Sequence, residues 1–197
     1  MSRQNDGMPT HVALLRGINV GGNKKVAMAD LRALVAELGH AGVSTYINSG
    51  NVLFTPPPGQ DCAAMAADMS AAIAGKLGVS CSVLVLTRDE LAGVIGVNPY
   101  PDEPDPKRVH AVFLSVPPGP ELLGKIDAAV AAAAAKGSRD SVRSTERALY
   151  LHTPDGFGRS EVAEATMKIV GAPKSGVAGT ARNWATVNKL LVLCDSE

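Results

Sequence analysis

Aromatic residues are scarce in this chain, at 4% of 197 residues. A sheet that stacks single-stranded bases on paired aromatic side chains therefore has little to be built from. Cysteines number three, Cys62, Cys81 and Cys194, an odd count without the close spacings of a zinc site or a disulfide framework. Free, buried thiols are the simpler reading. Neither sign of charge is in excess, since nineteen basic residues balance nineteen acidic ones. No global field then attracts nucleic acid or an anionic membrane, and any basic site must be a local cluster. No apolar run reaches the about 18 residues of a spanning helix. The first nine residues are polar, with one Arg and no apolar core behind it, which argues against a secretory signal. Together these absences lead to the expectation of a cytoplasmic protein with no membrane partner.

What is present is an ordinary globular composition, 46% hydrophobic and 19% charged, long enough for one large domain or two small ones. Residues 1–7 read as a frayed tail. Val12-Ala-Leu-Leu15 has the dense apolar character of a central strand, which ends at Arg16-Gly17. Met28, Leu31, Leu34, Val35 and Leu38 then recur at helical spacing, and Gly39 stands where a left-handed residue closes a helix. Val43–Ile47 and Asn51–Thr55 read as a hairpin across Asn48-Ser-Gly50. Met65, Met69, Ile73 and Leu77 mark a second helix ending at Gly78, and Ser82–Leu86 a further strand. Thr87 with Glu90 forms a capping box for one more short helix. The order βαββαβ is the split βαβ, or ferredoxin-like, pattern: an antiparallel sheet with helices packed on one face.

Asn98–Pro106 carries four prolines and several acids, and reads as a linker whose carboxylates are solvated. Beyond it, Val109–Leu114 is a strand. A helix with Leu122, Leu123, Ile126 and Val130 follows, then a hairpin of Ser141–Thr145 and Leu149–Thr153. Ser160 caps a helix whose expected buried face is Val162, Ala165 and Ile169. The order βαββα repeats the first half with its last strand not visible. Residues 171–179 read as a flexible connector into a last helix starting near Thr180. The expected organisation is α+β: a ferredoxin-like subdomain at 8–98, a linker at 99–107, and a second α+β subdomain with a C-terminal helix at 108–197.

Three stretches, Leu14-Leu-Arg-Gly-Ile-Asn-Val-Gly-Gly22, Tyr46-Ile-Asn-Ser-Gly-Asn-Val52 and Thr180-Ala-Arg-Asn-Trp-Ala-Thr-Val-Asn-Lys-Leu190, resemble the bacterial family catalogued as domain of unknown function 1697. The resemblance spans about residues 10–193. It implies two α+β subdomains and no established activity.

The candidate binding residues come from these stretches. Arg16, Asn19, Gly21, Gly22 and Lys24 form a Gly-rich basic turn before a helix, where backbone N–H groups could collect around an anion. The same turn could be purely structural. It is not a phosphate-binding loop, because Asn23 holds the lysine position and no hydroxyl follows Lys24. Asn19 stands where a dinucleotide fingerprint needs glycine. Asn48, Ser49 and Asn51 offer short donors and acceptors, or simply satisfy turn backbone. Arg182, Thr186 and Lys189 fall on one polar stripe of the expected last helix, with Asn183 beside them and Trp184, Val187 and Leu191 packed opposite. A cation in a helix's first turn opposes its dipole, so Arg182 calls for an anionic ligand or an acidic partner.

Convergence of these stretches would make a polar pocket between the subdomains for a small anionic ligand, phosphate-bearing ones included. No cofactor or metal-ligand pattern is present to name a cofactor. Single-stranded RNA is the alternative partner, less favoured for want of aromatics. The four histidines, His11, His40, His110 and His152, are isolated in sequence and no nucleophile elbow occurs, so no catalytic residue is assigned. An enzyme of unrecognised type stays open because active-site residues meet only in the fold.

Overall fold

The computed structural model describes residues 8–19, 25–172 and 175–196. The chain divides into two compact units, residues 1–92 with 189–197, and residues 93–188. In the first, the order is β1 (His11–Leu15), α1 (Met28–Glu37), β2 (Ala41–Tyr46), β3 (Asn51–Thr55), α2 (Cys62–Leu77) and β4 (Val83–Thr87). The sheet is antiparallel with strand order β2-β3-β1-β4, and Leu14 faces Asn51 on one side and Leu84 on the other. This is the split βαβ arrangement that the element order predicts.

The helix-facing side of this sheet, Ala13, Leu15, Val52, Phe54 and Val85, packs with Leu31, Leu34 and Val35 of α1 and Met65, Met69 and Ile73 of α2. Val12, Leu14, Leu53 and Leu86 point the other way and are buried too. Burial on both faces is why β1 reads as a continuous apolar run rather than an alternating one. Asp61 caps α2 by accepting from Ala63 N and Ala64 N, and Gly78 ends it in the left-handed region at φ 65°. The capping box also forms: Thr87 N donates to Glu90 Oε2 at 3.0 Å and Glu90 N to Thr87 Oγ1 at 3.1 Å, starting α3 (Arg88–Gly96).

The second unit runs β5 (Val109–Leu114), α4 (Pro120–Ala134), β6 (Ser141–Ser144), β7 (Ala148–His152), α5 (Glu161–Val170) and β8 (Gly179–Asn183), with α6 (Trp184–Cys194) closing the chain. Its strand order, β6-β7-β5-β8, reproduces that of the first unit. The strand missing from the sequence reading is therefore present. Gly179–Asn183 is not the start of the last helix but a strand paired with β5, where Ala111 faces Arg182. The segment has no apolar alternation of its own and becomes a strand by hydrogen-bonding to its neighbour. A Cβ at Gly179 would lie 2.5 Å from Val170 Cγ1, so glycine lets β8 approach α5.

Two helix faces also differ from expectation. The buried side of α5 is Val162, Ala163, Thr166 and Val170, rotated from Ala165 and Ile169. On α6 it is Thr186, Val187, Leu190 and Cys194, with Leu191 only partly covered. The proline-rich stretch does not separate the units, which divide within α3 and within α6. It belongs to the second unit, where Pro106 O accepts from Trp184 N at 3.1 Å.

Candidate functional site

Asn19 ends the β1 edge of the Gly-rich turn in the left-handed conformation, φ 54°. Its side chain fastens three points. Nδ2 donates to Val26 O and to Asn48 O, both at 2.9 Å, and Oδ1 accepts from Val26 N at 2.9 Å. The β1–α1 connection is thereby closed at its base and tied to the β2–β3 turn. Asn19 is spent on this clasp, so its contribution is to position the two turns.

The turn itself is tightly specified. Gly50, at φ 73°, carries no Cβ because one would sit 2.7 Å from Leu15 Cβ and 2.8 Å from Ile18 Cδ1. Its carbonyl accepts from Leu15 N at 2.8 Å. Asn51 is fully buried, and its Nδ2 donates to Tyr46 O at 3.0 Å across the hairpin. Asn48 offers its carbonyl to Asn19, and Ser49, next in the chain, is exposed. Arg16 follows β1, partly buried, with its N–H donating to Ser82 O at 2.9 Å. Lys25 is exposed beside Val26. Gly21, Gly22 and Lys24 lie outside the described residues.

The residues expected on the last helix are placed differently. Arg182 is buried on β8, donating to Thr180 Oγ1 at 2.7 Å and Ala181 O at 2.8 Å. Burial draws its guanidinium down to about 10, still cationic at neutral pH. The opposition to a helix dipole that singled it out does not exist. Asn183 is the cap instead, its Oδ1 accepting from Thr186 N at 2.8 Å. Lys189 is exposed on α6.

Other polar groups meet in the second unit without any sequence signal. Glu103, expected to be solvated, is largely covered and its Oε2 lies 2.6 Å from His152 Nε2. That hydrogen bond, with one from Asp105 N, holds the Glu103 carboxyl below its ordinary value. Tyr100 stacks on His152 with ring centres 5.0 Å apart and shares a 2.8 Å hydrogen bond with Ser141 Oγ. His110 stacks on Phe157 at 4.0 Å with its Nδ1 buried and unpartnered. Desolvation pushes it down to about 4. Only spatial proximity joins these pairs, Glu103 and His152 being 49 residues apart.

Two cavities also lie in this unit. One of about 280 Å³ sits at the start of α5, bordered by Lys136, Arg159, Asp140 and Ser160. The other, about 460 Å³, runs between α4 and α5 over Leu122, Ile169 and Val177. Neither is lined by the candidate binding residues Arg16, Asn19, Asn48, Ser49, Asn51, Arg182, Asn183 or Lys189. Among the described residues no cluster of metal-ligating side chains occurs and no helix is long and apolar enough to cross a membrane.

Two split βαβ units, the first with Asn19 joining the end of β1 to the β2–β3 turn and to Val26 ahead of α1, define an α+β protein. The chain belongs to the family described as protein of unknown function (DUF1697), whose model matches residues 8–150. Among solved structures it is similar to the conserved bacterial protein SP0830 from Streptococcus pneumoniae. The two are 23% identical with a TM-score of 0.62, over 95% of this chain and 99% of that one. This likeness is one of fold. No curated protein matches the chain.

Proposed function

We propose that this is a bacterial, cytoplasmic protein that binds a small anionic ligand, phosphate-bearing ones included, where the β1–α1 connection meets the β2–β3 turn. The observation that carries the reading is the Asn19 clasp, which holds the two turns together within a locally basic segment. From Arg16 to Ala29 the sequence has three basic residues, Arg16, Lys24 and Lys25, and no acidic one. With a net charge of zero over the chain, that concentration is local, as an anion site requires. Among the described residues α1 has no side-chain cap at Ala27, and the acidic residue of its first turn is Asp30. In this reading Arg16 and Lys25 supply charge, Asn48 and Ser49 border the ligand, and Asn19 and Asn51 hold the frame. Phe54, Phe113 and Tyr150 are buried, which favours a small ligand over RNA stacked on the sheets.

The test is a thermal-shift titration with inorganic phosphate, pyrophosphate and sulfate at constant ionic strength, on the native chain and on Arg16→Ala and Lys25→Ala. Saturation at 100 times Kd stabilises by about 2.7 kcal/mol, or about 2 to 4 °C per kcal/mol for a chain of this size. A shift with phosphate or pyrophosphate that shrinks in both variants is expected. No shift with any anion, or an equal shift in the variants, overturns the reading.

A further inference from the structure

Within the second unit, Glu103 and His152 form a carboxylate–imidazole pair that shares no residue with the proposed anion site. Glu103 Oε2 lies 2.6 Å from His152 Nε2, and the two side chains are 11% and 22% exposed. The Glu103 carboxyl is held below its ordinary value first by this hydrogen bond and then by one from Asp105 N. It is therefore ionised at neutral pH and accepts, so Nε2 carries the proton and Nδ1 keeps its lone pair. Among the described residues Nδ1 has no hydrogen-bond partner and is not one of the buried unpaired atoms, so it opens to solvent. Two hydroxyls stand beside the ring. Ser141 faces His152 directly in the β6–β7 pair, which puts both side chains on one side of the sheet. Tyr100 spans the two, its ring stacked on His152 at 5.0 Å and its hydroxyl 2.8 Å from Ser141 Oγ. One hydroxyl proton is used in that bond and the other is left to donate outward. The remaining charges are Arg108, 3.9 Å from Glu103 and 3.6 Å from Asp105, and Asp105 itself.

We infer that His152 is a general base for the hydrolysis of small, uncharged carboxylic esters, with Glu103 as its positioning residue and the hydroxyls of Tyr100 and Ser141 as donors to the oxyanion. A covered carboxylate on one imidazole nitrogen, with the other nitrogen open, fixes the tautomer and stabilises the imidazolium that a base becomes. His152 Nδ1 takes a proton from water as the water oxygen bonds to the ester carbon, and the carbonyl electron pair moves onto oxygen. The oxyanion accepts from the spare hydroxyl. When the carbonyl reforms, the bond to the alcohol oxygen breaks and that oxygen takes the proton back from Nδ1. Acid and alcohol leave, and water is the sole co-reactant. The ester is uncharged because Glu103 and Asp105 would repel a phosphoryl group, and small because Tyr100 covers one face of the imidazole. This activity is independent of the anion reading.

The experiment is hydrolysis of p-nitrophenyl acetate by the native chain and by His152→Gln, Glu103→Gln and, as a control, His11→Gln, each measured as a pH–rate profile. The native chain should exceed an equimolar solution of free imidazole. His152→Gln should lose about 100-fold, and His11→Gln should match the native rate. In Glu103→Gln the amide oxygen still accepts from Nε2, so folding is kept while the charge is lost. Its rate should fall about tenfold, and its profile should move to lower pH because a neutral partner no longer stabilises the imidazolium. A purely structural link between the proline-rich stretch and β7 would not move that profile. Should His152→Gln not fold, diethyl pyrocarbonate treatment of the native chain replaces it: activity should disappear in step with carbethoxylation of His152, mapped by mass spectrometry. A native rate no greater than that of imidazole overturns the inference. So does activity that survives loss or carbethoxylation of His152, or an unchanged rate or profile in Glu103→Gln.

Discussion

Asn19 Nδ2 donates to the carbonyl of Asn48 at 2.9 Å across 29 residues of sequence. Through it the connection after β1 and the turn after β2 share one fixed point. The same side chain also brackets Val26 at both backbone groups, so one asparagine supports a strand end, a turn and a helix entry.

Replacing Asn19 with Ala removes three hydrogen bonds and leaves a Cβ residue at positive φ. At about 0.5 to 1.5 kcal/mol per bond, Asn19→Ala should cost about 2 to 4 kcal/mol. Urea unfolding should show a lower midpoint with an unchanged slope.

Two glycines at nearly the same φ offer a matched comparison. Gly17 has φ 68° with nothing within 4 Å of a built Cβ, whereas Gly50 has φ 73° with Leu15 and Ile18 in the way. Gly17→Ala should cost only the left-handed penalty, about 1 to 2 kcal/mol. Gly50→Ala adds a backbone-level collision and should cost about 3 kcal/mol or more. Equal losses would mean the turn can move to accept the methyl group.

His110 makes stability depend on pH in a defined window. Its folded value lies near 4 and its unfolded value near 6.5, so above pH 6.5 both states are neutral and stability is full. As pH falls below 6.5 the unfolded chain takes up a proton that the folded chain refuses until about pH 4, and up to about 3 kcal/mol is lost. His11 and His40 are shifted the same way by burial. His110→Phe keeps the stacking on Phe157 and removes the unpartnered Nδ1. It should flatten the stability profile between pH 5 and 6.5 by as much as about 1.4 kcal/mol per pH unit, read by chemical denaturation at each pH.

Ser160 joins the start of α5 to Asp140, just ahead of β6. Its Oγ accepts from Ala163 N at 2.8 Å and donates to Asp140 Oδ2 at 2.7 Å. Ser160→Ala should destabilise by about 1 to 2 kcal/mol, while Ser160→Asp keeps the cap but meets Asp140 with like charge and should recover little. Thermal unfolding of the two variants distinguishes loss of the cap from loss of the link to Asp140.

The sequence by itself determined what depends on near neighbours. Helices declared themselves through periodic apolar residues and local caps, as at Thr87 with Glu90, Ser160 and Gly78, because these interactions join residues at most a few positions apart. The hairpin across Asn48–Gly50 and the α+β order were legible for the same reason. Tertiary structure alone decided the rest. Gly179–Asn183 is a strand because β5 lies beside it, and that pairing moved Arg182 from an expected helix end into a buried strand. Glu103 and His152 meet because the proline-rich stretch folds back on β7. Within the candidate site, composition marked Arg16 and Asn19, but not that Asn19 is a clasp. That follows from a hydrogen bond between segments far apart in sequence, whose partners no local pattern encodes.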